Sequence, residues 1–162
     1  EKFFSQRIYK LITKDNIIPP KYNIQNLIDN YPVDNIWLVY IGWLDLHKLP
    51  LTREEQKIID DYNNIMSSEP KHDKYSIYKA FENKSKESIL LYTIVSGKNS
   101  GLKYFEIADI SPVVSGEDFK QMGIKPSKKY SECLDFILRK KLDNPNMSKQ
   151  SELKLAKEFF NT

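Results

Sequence analysis

The sequence predicts an all-α protein, an irregular multi-helix array of about nine short helices. Apolar residues recur at three- and four-residue spacing almost throughout, the period of a helix face rather than of a strand. Short polar residues that close helix N-termini stand at the head of successive segments, at Asn23, Asp34, Thr52, Asp73, Ser85, Ser115 and Ser148. Proline and glycine fall between those segments.

In chain order, Phe3, Phe4, Ile8, Leu11 and Ile12 share one face of a first helix, which Pro19-Pro20 ends. Opening at Glu1 inside such an element implies a piece of a longer protein. Asn23 caps a short helix with Ile24, Leu27, Ile28 and Tyr31 inward, and Pro32 marks its end. Residues 34–47 hold the most apolar run, Ile36 to Leu44 and then Leu46, expected as a central helix and the most buried stretch. Gly42 within it would let another helix approach. Thr52 and Glu55 form a capping box, Leu51 staples onto the helix, and Ile58, Ile59, Tyr62, Ile65 and Met66 line its inner face. The polar link 67–74 divides a helical body, residues 1–70, from a helical tail, residues 71–162. In the tail, Tyr75–Phe81, a helix capped by Ser85 running to Gly97, and Leu102–Ile107 precede Ser111-Pro112. Asn144-Pro145-Asn146 forms a turn, and Ser148 caps a last helix carrying Leu153, Ala156, Phe159 and Phe160 on one side.

Between them lies the most legible stretch, residues 113–142. Ser115 and Asp118 open a short helix whose apolar face is Phe119 and Met122. Gly123 stops it in the left-handed conformation, and Ile124 supplies the apolar contact after the stop. Pro126 is expected at the first position of the next helix, where its missing N–H is harmless. Tyr130, Cys133, Leu134, Ile137 and Leu138 continue along one side of that helix. Lys120, Lys125, Lys128 and Lys129 surround the corner. Unpaired N–H groups at a helix start together with lysines suit a phosphate, while the alternative is a plain helix hairpin with a solvated lysine surface.

The chain of 162 residues is 40% hydrophobic, enough to bury a core, and its formal net charge is +3. That charge is uneven. Residues 1–97 carry 13 basic and 13 acidic side chains, whereas residues 120–141 carry 7 and 2. A local basic patch on a neutral body is the footprint of polyanion binding, or of a lysine-rich solvated surface. The single Cys133 sits on an apolar helix face and implies a buried thiol, not a disulfide framework. With no charged leader and no apolar run long enough to cross a bilayer, the expected compartment is cytoplasmic, without membrane contact. Chemistry-bearing patterns are missing: no Ser-His-Asp set, no Cys-His pair, no glycine-rich phosphate loop. His72-Asp73 needs further ligands to hold a metal, and His47 is the only other histidine, so Asp73 reads as a helix cap and no metal site is expected.

The run Ser115-Gly116-Glu117-Asp118-Phe119-Lys120-Gln121-Met122-Gly123-Ile124-Lys125-Pro126 closely resembles the "t/s-G-k/e-D-L-x-x-l-G-i-k-P-G" signature near the C-terminus of bacterial tRNA nucleotidyltransferases. These enzymes add CCA, or parts of it, to tRNA 3′ ends, and poly(A) polymerases are close relatives. Leu142-Asp143-Asn144 resembles the family's exit from its tail helix, and Ile77-Tyr78 and Leu90-Leu91-Tyr92 match two further helices. The family commonly has glycine after the proline, where this chain has Ser127, able to cap and donate. The resemblance implies the RNA-binding body and tail of such an enzyme, contacting tRNA through sugar and phosphate with Lys120, Lys125, Ser127, Lys128, Lys129, Arg139, Lys140 and Lys141. DNA is not an expected partner.

The family's catalytic head would be joined in the same parent chain and would use Mg²⁺ with ATP or CTP; no cofactor is expected in this piece. Nucleotidyl transfer needs paired carboxylates on metal ions. No Asp-x-Asp occurs here, and Asp60-Asp61 lacks the arginine of the family's nucleotide-selecting Glu-Asp-x-x-Arg, so the fragment itself is not expected to be an enzyme. The alternative function is a helical protein-interaction or oligomerisation module without RNA binding.

Overall fold

Most helices in this protein begin where a short polar side chain can take up the first unpaired N–H groups. The computed structural model describes residues 21–41, 50–68 and 70–161. Over these the chain is helical without strands, in nine helices. They are α1 (Ile24–Asn30), α2 (Ile36–Ile41), α3 (Arg53–Ser68), α4 (Lys74–Phe81), α5 (Lys86–Ser96), α6 (Ser100–Ile107), α7 (Gly116–Gln121), α8 (Lys129–Asp143) and α9 (Lys149–Asn161). The segment expected as a helix over residues 3–14, and Gly42, lie outside the described residues.

Most of the expected caps form. The Asn26 N–H donates to Asn23 Oδ1 at 3.2 Å. The Thr52 N–H donates to Glu55 Oε2 at 2.7 Å, and the Glu55 N–H donates back to Thr52 Oγ1 at 3.3 Å, so both arms of the capping box are present. Asp73, Ser85 and Ser148 accept from the amides of Ser76, Ser88 and Ser151 at 2.9, 3.2 and 3.2 Å. Asp34 differs. The carboxylate that meets the start of α2 is Glu87, whose Oε1 accepts from the N–H groups of Asp34 and Asn35 at 3.2 and 3.3 Å.

The contacts gather into two units. Among the described residues, those up to Pro70 with Ala80–Leu102 form the first, and Lys71–Lys79 with those from Lys103 onward form the second; α4 and α6 each contribute to both. Residues 80–102, assigned to the tail by sequence, thus group with the first unit.

In the first unit, α3 and α2 pack on α5. Leu38, Ile58 and Leu91 form the buried centre, with Leu51, Ile59 and Tyr62 against it. The run from Glu87 to Ile94 is buried all round. Its polar groups are matched: Thr93 Oγ1 donates to the Ile89 carbonyl at 2.9 Å, and Ser100 Oγ donates to Tyr92 Oη at 3.2 Å. Of the stretch Ile36–Leu46, expected to be the most buried, residues 42–46 lie outside the described residues, and residues 36–40 bear the expectation out only in part. Leu38 and Val39 are buried, but Ile36 and Trp37 are 44% and 39% exposed. Leu38 meets Ile58 and Leu91 on the covered side, and Ile36 and Trp37 lie off it.

No helix among the described residues is long and apolar enough to cross a membrane.

The first unit depends on a close approach at Gly101. A Cβ there would lie 2.2 Å from Thr93 Oγ1 and 3.0 Å from Ile89 Cγ2. The Gly101→Ala variant is expected to lose about 1–3 kcal/mol through overpacking. Adding Thr93→Ala should recover part of that loss, because the atom in the way is removed. Urea unfolding of the two variants measures both effects.

Candidate nucleic-acid interface

The second unit holds the basic corner. Val114, Phe119, Cys133, Ile137 and Ala156 form its buried centre, where α7, α8 and α9 meet. At the start of α7, the Ser115 N–H and Oγ both donate to Asp118 Oδ2, at 2.8 and 3.1 Å. At its end the Gly123 N–H donates to the Lys120 carbonyl at 2.8 Å and the Ile124 N–H to the Phe119 carbonyl at 3.1 Å. That pair of bonds is a Schellman motif, and Gly123 takes the left-handed φ of 81° it requires. Ile124 then packs into the core. Both features follow the sequence expectation.

Pro126 does not. It lies in the connecting segment, and α8 starts at Lys129, three positions further on. Two bonds hold that connection: the Tyr130 N–H donates to the Ser127 carbonyl at 3.0 Å, and Tyr130 Oη donates to the Ile124 carbonyl at 2.6 Å. The first closes a turn ahead of α8, and this turn delays the helix. Phe119, Tyr130 and Phe160 meet edge to face, with centroids 5.1, 5.3 and 6.0 Å apart. Gly116 makes room for this cluster, since a Cβ there would stand 3.2 Å from the Tyr130 ring.

The corner carries Lys125, Ser127, Lys128 and Lys129, all exposed. Among the described residues the three lysines make no ion pair or hydrogen bond through their ammonium groups. Lys120 is also exposed but bonds Glu117 at 2.8 Å, and that carboxylate holds its ammonium above the ordinary lysine value. Lys149 bonds Asp118 at 2.6 Å, and with the Ser115 N–H it keeps the Asp118 carboxyl below its usual range. The start of α7 is therefore acidic and locally compensated, while the approach to α8 is positive.

The other predicted residues are placed differently. Arg139 and Lys140 are exposed near the far end of α8, the Arg139 guanidinium 4.3 Å from the Tyr75 ring centroid and the Lys140 ammonium 5.8 Å from that of Phe136. Lys141 is 6% exposed and lies inside the unit, its ammonium bonded to Glu152 Oε1 at 2.5 Å. It is not presented to a surface ligand. Glu152 is fully buried, and its second oxygen accepts from the Val113 and Val114 N–H groups at 2.7 and 3.0 Å. Sequence reasoning missed this carboxylate. The signal was there: Lys141 follows Ile137 and Leu138 at inward spacing on α8, and Glu152 precedes Ala156 by four on α9.

Asp73 caps α4, its carboxyl held below the ordinary value chiefly by the Ser76 hydroxyl and amide. No three His, Cys, Asp or Glu side chains come together as a metal site among the described residues. Cys133 is buried, and desolvation pushes its thiol up to about 11.

Three outcomes follow from this packing. Glu152→Ala leaves Lys141 charged and two amides bare, and should cost about 3–5 kcal/mol. Lys120→Ala breaks only an exposed pair and should leave the denaturant unfolding midpoint essentially unchanged. Cys133 should resist a thiol reagent at neutral pH in the native protein and react once the chain is unfolded; rapid native labelling would contradict the burial described.

The chain is similar to the A-adding tRNA nucleotidyltransferase of Halalkalibacterium halodurans, 25% identical over 118 residues. The aligned part covers 68% of this chain and 28% of that protein, so the chain spans under a third of its relative's length. No family model matches the chain, and no solved structure does. The likeness is distant, and at the level of family it points to the tRNA nucleotidyltransferases.

Proposed function

We propose that this chain is the RNA-holding body and tail of a tRNA nucleotidyltransferase, and that the corner before α8 grips the sugar-phosphate backbone of tRNA. The observation that carries the reading is the set of Lys125, Lys128 and Lys129, exposed and uncompensated on a connection fixed at both ends. A fixed turn loses no backbone freedom on meeting phosphates, so the ordering is confined to the lysine side chains. An enzyme that serves every tRNA has to read A-form shape and backbone rather than base sequence, and lysines on a rigid corner do that. The resemblance of residues 115–126 and the distant tRNA nucleotidyltransferase relative support the same reading. A cytoplasmic place goes with such a partner.

Nucleotide transfer belongs in this reading to a catalytic head in the parent protein, which would hold Mg²⁺ and ATP or CTP. The described residues do not fit those metal ions, for they bring no suitable set of carboxylates together. No chemical step is assigned to this chain.

Replacing Lys125, Lys128 and Lys129 together by Gln should weaken tRNA binding and leave the fold intact. The log–log slope of affinity against salt should fall by roughly 0.7–0.9 for each phosphate contact removed. Ser127→Gly, which restores the residue common in the family, should be neutral or slightly strengthening. Salt titrations of tRNA affinity, with circular dichroism as the folding control, measure both. A folded triple variant with unchanged affinity and slope would refute the corner as the contact. The purified chain given tRNA, ATP, CTP and Mg²⁺ should add no nucleotide; measurable CMP or AMP incorporation would overturn the division of labour.

A further inference from the structure

Arg139 has an unusual setting for an exposed arginine. Four residues before it on α8 stands Asp135, the partner that helical spacing would ordinarily give it. That carboxylate is already engaged. Tyr75 Oη donates to Asp135 Oδ2, and the Lys79 ammonium lies 3.4 Å from Oδ1. Both groups come from α4, which lies beside α8 here. The same bond from Asp135 fixes the Tyr75 ring, and the Arg139 guanidinium rests on the face of that ring, 4.3 Å from its centroid. Among the described residues Arg139 makes no ion pair or hydrogen bond. A guanidinium seated on an aromatic face keeps its N–H edge free.

We infer that Arg139, seated on Tyr75, is a second phosphate-binding element, taking one phosphodiester of the bound RNA edge-on through two parallel N–H donors. The inference rests on the reading of the chain as an RNA-binding body and tail. Planar, paired donors match two phosphate oxygens, and a side chain already immobilised loses less freedom on binding. Lys74 and Lys140 add positive charge around it; Lys74 is anchored on the Leu142 carbonyl at 3.1 Å, and Lys140 is exposed. The acidic neighbours are Asp73, which caps α4, Asp135, which accepts from Tyr75 and pairs with Lys79, and Asp143, exposed four residues further along α8. From Lys129 to Arg139 is about 15 Å along the helix axis. The RNA backbone would therefore run lengthwise beside α8, held at both ends.

The test is a salt titration of affinity for unfractionated tRNA on the whole chain, with circular dichroism as control. Arg139→Ala should weaken binding about ten-fold and lower the salt slope by roughly 0.7–0.9. Arg139→Lys keeps the charge but loses the fork, and should lose most of the affinity with little change in slope. Tyr75→Leu should give a partial loss, because the arginine is freed rather than removed. Arg139→Lys binding like the wild type would overturn the inference, since a mobile point charge would then suffice. So would a loss in Arg139→Ala without change of slope, which would assign the residue to base stacking. If both Arg139 variants bind normally while the Lys125, Lys128 and Lys129 triple variant is weak, this site falls and the corner stands. If the wild type does not bind tRNA, both fall together.

Discussion

The second unit is built round one buried carboxylate. Glu152 reaches inward from α9, receives Lys141 from α8 on one oxygen and the amides of Val113 and Val114 on the other. Three segments remote in sequence thus share a single charged centre. A pair of this kind adds little net stability over apolar side chains of the same volume, because both charges give up their hydration. Geometry is what it fixes. The chain entering α7 cannot slide against α8 and α9 without leaving two amides and a charge unmatched in a dry interior. Everything in the corner, from the Ser115 cap to the Tyr130 bond, starts from that anchored point.

Around it the charges are sorted by pairing. Lys120 and Lys149 are engaged by Glu117 and Asp118, and Lys141 is spent inside the unit. Around α8 the exposed cations without an ion partner among the described residues are Lys125, Lys128 and Lys129 at its start and Arg139 and Lys140 near its close, and on α9 Lys154 and Lys157 are exposed as well. The density of basic residues over 120–141 in the sequence thus overstates the field at the surface. A ligand would meet a helix that is positive at both ends, with Glu132 exposed between them.

Local rules were legible in the sequence and tertiary ones were not. The caps at Asn23, Thr52, Asp73, Ser85 and Ser148, and the Schellman stop at Gly123, involve residues within a turn of one another, so their spelling suffices. The start of α8 was misplaced because Pro126 suits a first helical position, while a turn closed by Ser127 and anchored through Tyr130 came first. Ile36 and Trp37 read as core in the sequence, because apolar character says nothing about which side of a helix is covered. Asp34 gave way to Glu87, 53 residues along the chain, where periodicity carries no information; Lys141 and Glu152 each sit at an inward position by spacing, but spacing does not say that the two meet. The corner itself could be read as a candidate, but the seat of Arg139 on Tyr75 joins α8 to α4 and had no local signature.

The two glycines of the corner answer to different constraints. Gly123 has a left-handed backbone and nothing within 4 Å of where a Cβ would point, so handedness alone restricts it. Gly116 is restricted by the Tyr130 ring and not by its torsion angles. A mirror-image alanine would therefore suit position 123 and stabilise the turn, whereas at position 116 the methyl group would press on the ring. The first glycine could be exchanged by synthesis without moving an atom of the core. The second is part of the core's own shape.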